Sequence, residues 1–328
     1  MPTTAPVVVV VGGAVLDQKL RTRDAPVLGT SNPGVAEAGV GGVGRNIAEN
    51  LARLGTSTVL VAPVGDDLPG ESVVGRTAAA GVDCRHVIVS GLPTGTYTAV
   101  LGDDGDLVIA VADMRATDRL TTTDLGALPG LLAGADILVV DANPPPAVVA
   151  WLLDEAAAVG LPVVLEPVSV AKASGLSAVL EGGRPVHTVT PNTDELGALV
   201  GAPARGSTAD VLEAADALHA RGVVNVWVRR GAAGSLLSSR SPGTATARVL
   251  AVGAPATEVV DVTGAGDSMT AGFVHAVLAG HDVLDAARFG QVCAALTCAS
   301  TETVRPDLDA DLVAAHLTPS HPPVEELR

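Results

Sequence analysis

The chain has 328 residues, 48% of them hydrophobic but only 2% aromatic, so Val, Leu, Ile and Ala must fill its core. Its formal charge of −16 excludes the clustered basic surface that nucleic acid or an anionic membrane requires, and a polyanionic ligand then needs a local positive site. Three scattered cysteines suit a reducing compartment, the seven histidines have no metal-ligand spacing, and no stretch has the length of a membrane span, so a soluble cytoplasmic protein is expected.

Residues 7–11 are an unbroken valine run and predict a first strand buried on both faces; without a basic flank they do not read as a signal peptide. Gly12 and Gly13 follow, but the glycines after this strand lack the G-x-G-x-x-G spacing of a dinucleotide fold. Asp17 stands just past the strand end, where open parallel sheets bind ligands, and it reads equally as a turn or capping acid. Residues 29–34 (GTSNPG) make a polar turn. The glycines of 39–44 then feed a helix in which Ile47, Leu51 and Leu54 share one face and which Gly55 ends. Such glycines either admit a ligand to the backbone or form a flexible turn. Residues 59–64 predict a strand, and 70–80 a helix closed by Gly81.

Between 86 and 111 the pattern turns β-like: strands at 86–89, 97–101 and 107–111, the last two joined through Gly102-Asp103-Asp104-Gly105 as a hairpin. Hairpin-paired strands do not belong to βαβ winding, so these and residues 16–38 predict a small separate sheet, either a gate or a surface feature. From 136 the βα alternation resumes, with strands at 137–140, 162–165 and 186–189 and a helix at 145–159. Asn192 and Glu195 have the spacing of a helix capping box. After a strand at 223–229, Arg229 and Arg230 either face an anion or form a solvated pair ahead of Gly231. The small-residue turn at 261–267 runs into a helix starting near Gly264, where Met269, Phe273, Ala276 and Val277 recur at helical spacing. Such a start leaves backbone N–H groups free as a seat for negative charge. Asp267, in the first turn, is either a dipole-compensating acid or a functional carboxylate. A helix follows at 285–298, and residues 318–328 read as a loose tail. No G-x-x-x-x-G-K-[ST] occurs, which excludes a P-loop kinase.

The run DVTGAGDSMTAG at 261–272 resembles the second signature of the PfkB (ribokinase-like) carbohydrate and nucleoside kinases, and GGVGRNIAENLARLG at 41–55 resembles the first. GTSNPG, Thr94-Gly95-Thr96-Tyr97, Ala112-Asp113-Met114, Val140-Asp141-Ala142-Asn143 and Glu166-Pro167-Val168-Ser169 are similar to the pseudouridine-kinase branch of that family. The resemblance implies one ribokinase-like α/β domain over residues 1–317: a mostly parallel sheet flanked by helices, with a β lid from about 16–38 and 86–115. In the family that lid often carries a dimer contact, which implies a homodimer here.

The implied reaction is phosphorylation of a nucleoside 5′-hydroxyl, pseudouridine first, with ATP and Mg2+. Asp267 would be the base, and the amides of Gly264, Ala265 and Gly266 the anion hole, a role suited to phosphoryl transfer. Asp17, Gly41, Gly42 and Asn46 would hold the sugar, while Ser31 and Asn32 would read a uracil edge. Asn192 and Glu195 would act near magnesium and the phosphates; Thr263, Gly231 and Arg230 would bind nucleotide, and helix 285–298 would flank the adenine. Asp261 would support the anion loop or a monovalent cation such as K+. Where the family shows Thr-Leu-Gly-x-x-Gly this chain has Arg229-Arg230-Gly231, a departure from the pattern. Ribokinase and adenosine kinase activities, or a catalytically silent ligand-binding relative, are the competing expectations.

Overall fold

The valine run becomes the middle of the molecule. In the computed structural model, which describes residues 6–202, 207–240, 243, 244, 246–317 and 323–328, the strands are β1 (Val7–Val11), β2 (Val15–Thr22), β3 (Gly34–Gly41), β4 (Ser57–Val61), β5 (Pro63–Gly65), β6 (Ile88–Ser90), β7 (Gly95–Leu101), β8 (Leu107–Asp113), β9 (Ile137–Asp141), β10 (Val163–Glu166), β11 (Val186–Val189), β12 (Val223–Arg229), β13 (Ser235–Ser239), β14 (Arg248–Val252) and β15 (Val324–Glu326). The helices are α1 (Val43–Arg53), α2 (Leu68–Ala79), α3 (Arg115–Asp118), α4 (Leu128–Leu132), α5 (Pro146–Ala158), α6 (Val170–Glu181), α7 (Thr193–Val200), α8 (Thr208–Ala220), α9 (Ala265–Leu278), α10 (Val283–Cys298) and α11 (Ala310–His316).

The large sheet runs β15-β14-β13-β12-β11-β10-β9-β1-β4. Pairing is parallel from β4 through β12 and antiparallel from β12 to β15. Side chains alternate across a strand, so β1 feeds two cores. Val9 and Val11 pack with Leu152, Leu176, Leu199 and Leu218 of α5 to α8. Val8 and Val10 pack with Ile47, Leu51, Phe273 and Val292 of α1, α9 and α10. Helices on both faces explain why the strands are continuously apolar, and they leave the strands' C-terminal ends as the place for chemistry.

A second sheet, ordered β3-β2-β7-β8, grows out of the C-terminal end of β1 through β2. The expected hairpin is there: β7 and β8 pair antiparallel across residues 102–106. By register, Asp17, Lys19, Glu37, Tyr97 and Ala99 share one face, and Leu20, Ala36, Val100 and Ile109 the other.

Several boundaries differ from expectation. The strand at 59–64 is two: β4 continues the large sheet, while β5 turns away to pair with β6, so residues 86–90 lie outside the small sheet. Pro63, which has no N–H to donate, sits at the break. The antiparallel edge β13-β14 has no counterpart in the sequence reading. Of the tail, 318–322 lie outside the described residues, but 323–328 are no loose end. β15 pairs with β14, and Arg328 makes a two-bond ion pair with Asp216. A Pro-rich, polar stretch carries no local sign of such long-range pairing.

Candidate active site

Asp267 lies in the first turn of α9, and its Oδ2 accepts a hydrogen bond from Asn46 Nδ2 at 2.9 Å. The two sequence signatures therefore meet through one bond spanning 221 residues. Gly264 is the N-cap in a left-handed conformation (φ 78°), and a Cβ there would strike the Thr303 carbonyl oxygen, so only glycine fits. Gly266 likewise has Arg229 against the place of its missing side chain. Among the described residues the N–H groups of Gly264, Gly266 and Asp267 have no hydrogen-bond acceptor, whereas Ala265 N–H points to Val262 O at 3.3 Å. Of the three amides expected to form an anion hole, Ala265 N–H is engaged by a turn of the protein's own backbone, while those of Gly264 and Gly266, with that of Asp267 beside them, take no acceptor among the described residues.

Burial pushes the Asp267 carboxyl up to about 8; Asn46 and Arg229 work against that rise, and the Glu166 and Asp141 carboxylates add to it. Arg229 ends β12 and joins Glu166 Oε1 at 2.6 Å and Glu195 Oε2 at 3.4 Å. Burial alone would lower its basicity, but those two carboxylates outweigh the effect and hold it protonated. Glu166 also accepts from Thr190 Oγ1 (2.6 Å) and Thr270 Oγ1 (3.1 Å). Asn192 and Glu195 form the expected capping box at the start of α7, and burial raises the Glu195 carboxyl. A cavity of about 390 Å3 is lined by Asn192, Thr193, Asp194, Arg229, Arg230, Gly231 and Ala233, gathering Asn192, Arg230 and Gly231 of the expected nucleotide-side residues but neither Glu195 nor Thr263. Both arginines line it, and Arg229 is the one bonded to Glu166 and Glu195.

On the other side, Asp141 is fully buried and accepts from Gly13 N, Gly44 N, Asn143 N and Asn143 Nδ2 at 2.7–3.0 Å. This knot pins the glycine turns after β1 and β3 to each other. Gly42 has φ 95°, and a Cβ on it would meet Gly13 O at 2.5 Å. The letters G-x-G-x-x-G occur at 39–44, but β3 belongs to the small sheet and pairs antiparallel with β2, so this is no dinucleotide turn. Asp17, on β2, lies against Gly41. Burial raises it to about 6, against the lowering pull of Arg45 and Lys19.

Ser31 and Asn32 are exposed, and Asn32 spends its amide on Val27 and Thr30 within its own turn. No contact among the described residues joins them to the buried cluster. Asp261 organises Thr263 through Oδ1 (N–H 2.8 Å, Oγ1 2.7 Å), and Lys19 Nζ lies 3.4 Å from Oδ2. The charged neighbour of Asp261 is therefore a lysine of the small sheet. In the sequence alone Asp141, Glu166 and Lys19 have no role of their own, and Arg229 figures only as one of a pair that either faces an anion or is solvated. A usable signal existed for Asp141, Glu166 and Arg229, since each is a charged residue closing an apolar strand.

An acid bonded into the first turn of a helix, beside open amides and a guanidinium, at the C-terminal edge of a doubly wound sheet, defines a phosphotransferase acting on a hydroxyl. The pfkB family carbohydrate kinase pattern matches residues 6–310, and the chain belongs to that family. Pseudouridine kinase of Escherichia coli (strain K12) is 32% identical over 302 residues, covering 92% of this chain and 93% of that protein. A carbohydrate kinase from Agrobacterium tumefaciens superposes with a TM-score of 0.84 at 32% identity, over 98% of this chain and 100% of that one. Arabidopsis thaliana ribokinase complexed with ribose and ATP has a TM-score of 0.80 at 24% identity, over 95% and 99% of the two chains, a likeness of fold.

Proposed function

We propose that this kinase transfers the γ-phosphoryl group of ATP to the 5′-hydroxyl of pseudouridine. The Asn46–Asp267 bond carries the reading, because it holds the carboxylate at a helix start whose amides are unclaimed. The kinship with a bacterial pseudouridine kinase supports the choice of acceptor. Asp17, the Gly41–Gly42 turn and Asn46 hold the ribose. Asp267 takes the hydroxyl proton as the oxygen attacks phosphorus and ADP leaves, and its raised basicity suits that task. The amides of Gly264, Gly266 and Asp267, with Arg229, receive the charge on the transferring group. Arg230, Gly231 and Thr263 bound the nucleotide side, and Ser31 and Asn32 come to the base when the small sheet closes as a lid.

No group of three His, Cys, Asp or Glu side chains among the described residues could hold a metal by itself. That suits Mg2+, which binds through one or two carboxylates together with phosphates and waters. Glu195, whose Oε1 takes no hydrogen bond among the described residues, and Asn192 would hold it. When bound, the ion supplies charge neutralisation at the phosphates. The outward face of the small sheet, with Ile109 56% and Val111 61% exposed, supports a homodimer through the lid. No helix among the described residues is long and apolar enough to cross a membrane; a need for ATP supports a cytoplasmic site for the reaction.

The test is a competition of pseudouridine, uridine, adenosine and ribose under ATP, read as ADP release. Pseudouridine is expected to have the highest kcat/KM. Preference for ribose or adenosine would replace this acceptor, and ligand binding without ADP release would mark a silent relative.

A further inference from the structure

Arg45, in the first turn of α1, is only 4% exposed, and a guanidinium taken out of water is costly unless its donors are met. Four acceptors meet them. Nε donates to Thr77 Oγ1 of α2 at 3.1 Å, and Nη1 donates to the Val40 carbonyl of β3 at 3.2 Å and to Asn46 Oδ1 at 2.9 Å. Nη2 is paired with Glu49, one turn further along α1. Thr77 is held to its accepting role, because its single hydroxyl proton goes to Val73 O at 2.6 Å. The backbone is fixed as well: the Arg45 N–H donates to Gly13 O at 3.0 Å.

An asparagine amide can turn over and exchange its oxygen for its NH2 group. Arginine carries only donors, so the oxygen of Asn46 must face Arg45, and the NH2 group then faces Asp267, to which Nδ2 donates at 2.9 Å. Turned over, the amide would set N–H groups against the guanidinium and an oxygen against the carboxylate. In the observed orientation the second N–H of Nδ2 takes no acceptor among the described residues and is left for the acceptor hydroxyl. The charge of Arg45 reaches the same acids. Burial raises the Asp17 carboxyl, and Arg45 and Lys19 pull it back. Burial, with Arg76 and Arg53, depresses Arg45 itself to about 10, while Asp17 and Asp267 support its charge.

We propose that Arg45 is a positioning residue for the transfer reaction: by holding Asn46 Oδ1 it aims the N–H groups of that amide at Asp267 and at the acceptor. The inference rests on Asp267 as the base, and it holds whichever nucleoside or sugar is phosphorylated. Lysine cannot take this role, because an ammonium has no planar fork with which to meet Asn46, Val40, Thr77 and Glu49 together.

The test uses the full chain with Arg45→Met and Arg45→Lys, each made alone and in an Asn46→Ala background, with melting curves to check folding. Glu49 keeps Arg53 (Nε at 2.9 Å, Nη2 at 2.6 Å) when Arg45 is replaced, so no buried carboxylate is stranded. Arg45→Met is expected to lower kcat by about ten- to a hundredfold, the size of one lost charged hydrogen bond, but by about twofold or less in the Asn46→Ala background. A merely structural arginine would cost the same in both. The pH profile of kcat/KM separates the fork from the charge. Asp267 is faced by Asn46, Glu166, Arg229 and Asp141, and Asp17 by Arg45 and Lys19. Losing the Asn46 donor favours the protonated Asp267, so Arg45→Met should move the upper bend to higher pH; losing the cation should raise the lower, Asp17 bend as well. Arg45→Lys keeps the cation, so only the upper bend should move, and it carries the comparison of backgrounds if the methionine variant does not fold. Equal losses in both backgrounds, or an upper bend unmoved in the folded variants, would overturn the positioning role while leaving Asp267 as the base. Full turnover by Asp267→Asn would overturn both.

Discussion

The two sheets treat charge in opposite ways. At the C-terminal edge of the large sheet, Asp141, Glu166 and Glu195 are almost wholly buried, and each is held by two or more donors. On the small sheet Lys19 keeps 45% of its side chain exposed, and its one ion pair, to Asp261, is long at 3.4 Å. A charge taken out of water survives only with partners, so the buried cluster fixes its own geometry before any ligand arrives. The small sheet has a thin core and a loosely held charge, which supports the proposal that it moves on binding. Phosphoryl transfer needs both: a preset electrostatic site, and a cover that completes it and then opens.

Four measurements would break or sharpen this contrast. The largest effect belongs to the preset side. Asp267→Asn should cut kcat by about 10²–10⁴ with little change in melting temperature, since the amide still accepts from Asn46; near-wild-type turnover would remove Asp267 from the base role. Next, Arg229→Met should destabilise the fold by about 3–5 kcal/mol in chemical denaturation, because it strands two buried carboxylates without their cation. A loss below about 1 kcal/mol would show that the cluster is not self-locking. Third, both acids that must be ionised have raised pKa values, Asp267 about 8 and Asp17 about 6. Activity is therefore lost as pH falls: kcat/KM should bend first near the higher value and again near the lower. Asp267→Asn should abolish the upper bend in its residual activity, and a flat profile from pH 5 to 9 would contradict the assignment. The smallest effect belongs to the small sheet. Lys19→Met should cost about 0–1 kcal/mol of stability, as exposed pairs do. Its signature is a modest rise in the KM for the acceptor.

The winding was legible because it is local. Valine runs, glycine helix ends and the Asn192–Glu195 spacing each act within a few residues, and β12, α7 and the start of α9 fall where the pattern puts them. The antiparallel edge was not legible. The pairing of β15 with β14 depends on backbone bonds between residues more than seventy positions apart. The site divides in the same way. The Gly264–Asp267 helix start could be read from its own residues, but the choice of Arg229 over its neighbour Arg230 could not. At a strand end adjacent residues point to opposite sides, and only the packing of β12 beside β11 and α9 determines which side faces Glu166 and Glu195.

By itself, then, the sequence determined the alternating α/β architecture, the glycine turns that lead into α1 and α9, and an acid in the first turn of the helix after residue 264. Tertiary structure alone decided that Asn46 meets that acid from 221 residues away, that Arg229 holds two glutamates, and that Asp141 knots two glycine turns together. The reason is physical. Helix starts and turns are fixed by short-range backbone geometry, whereas a buried charge takes its partner from whatever the packed sheet brings within about 3 Å, a distance that no spacing along the chain encodes.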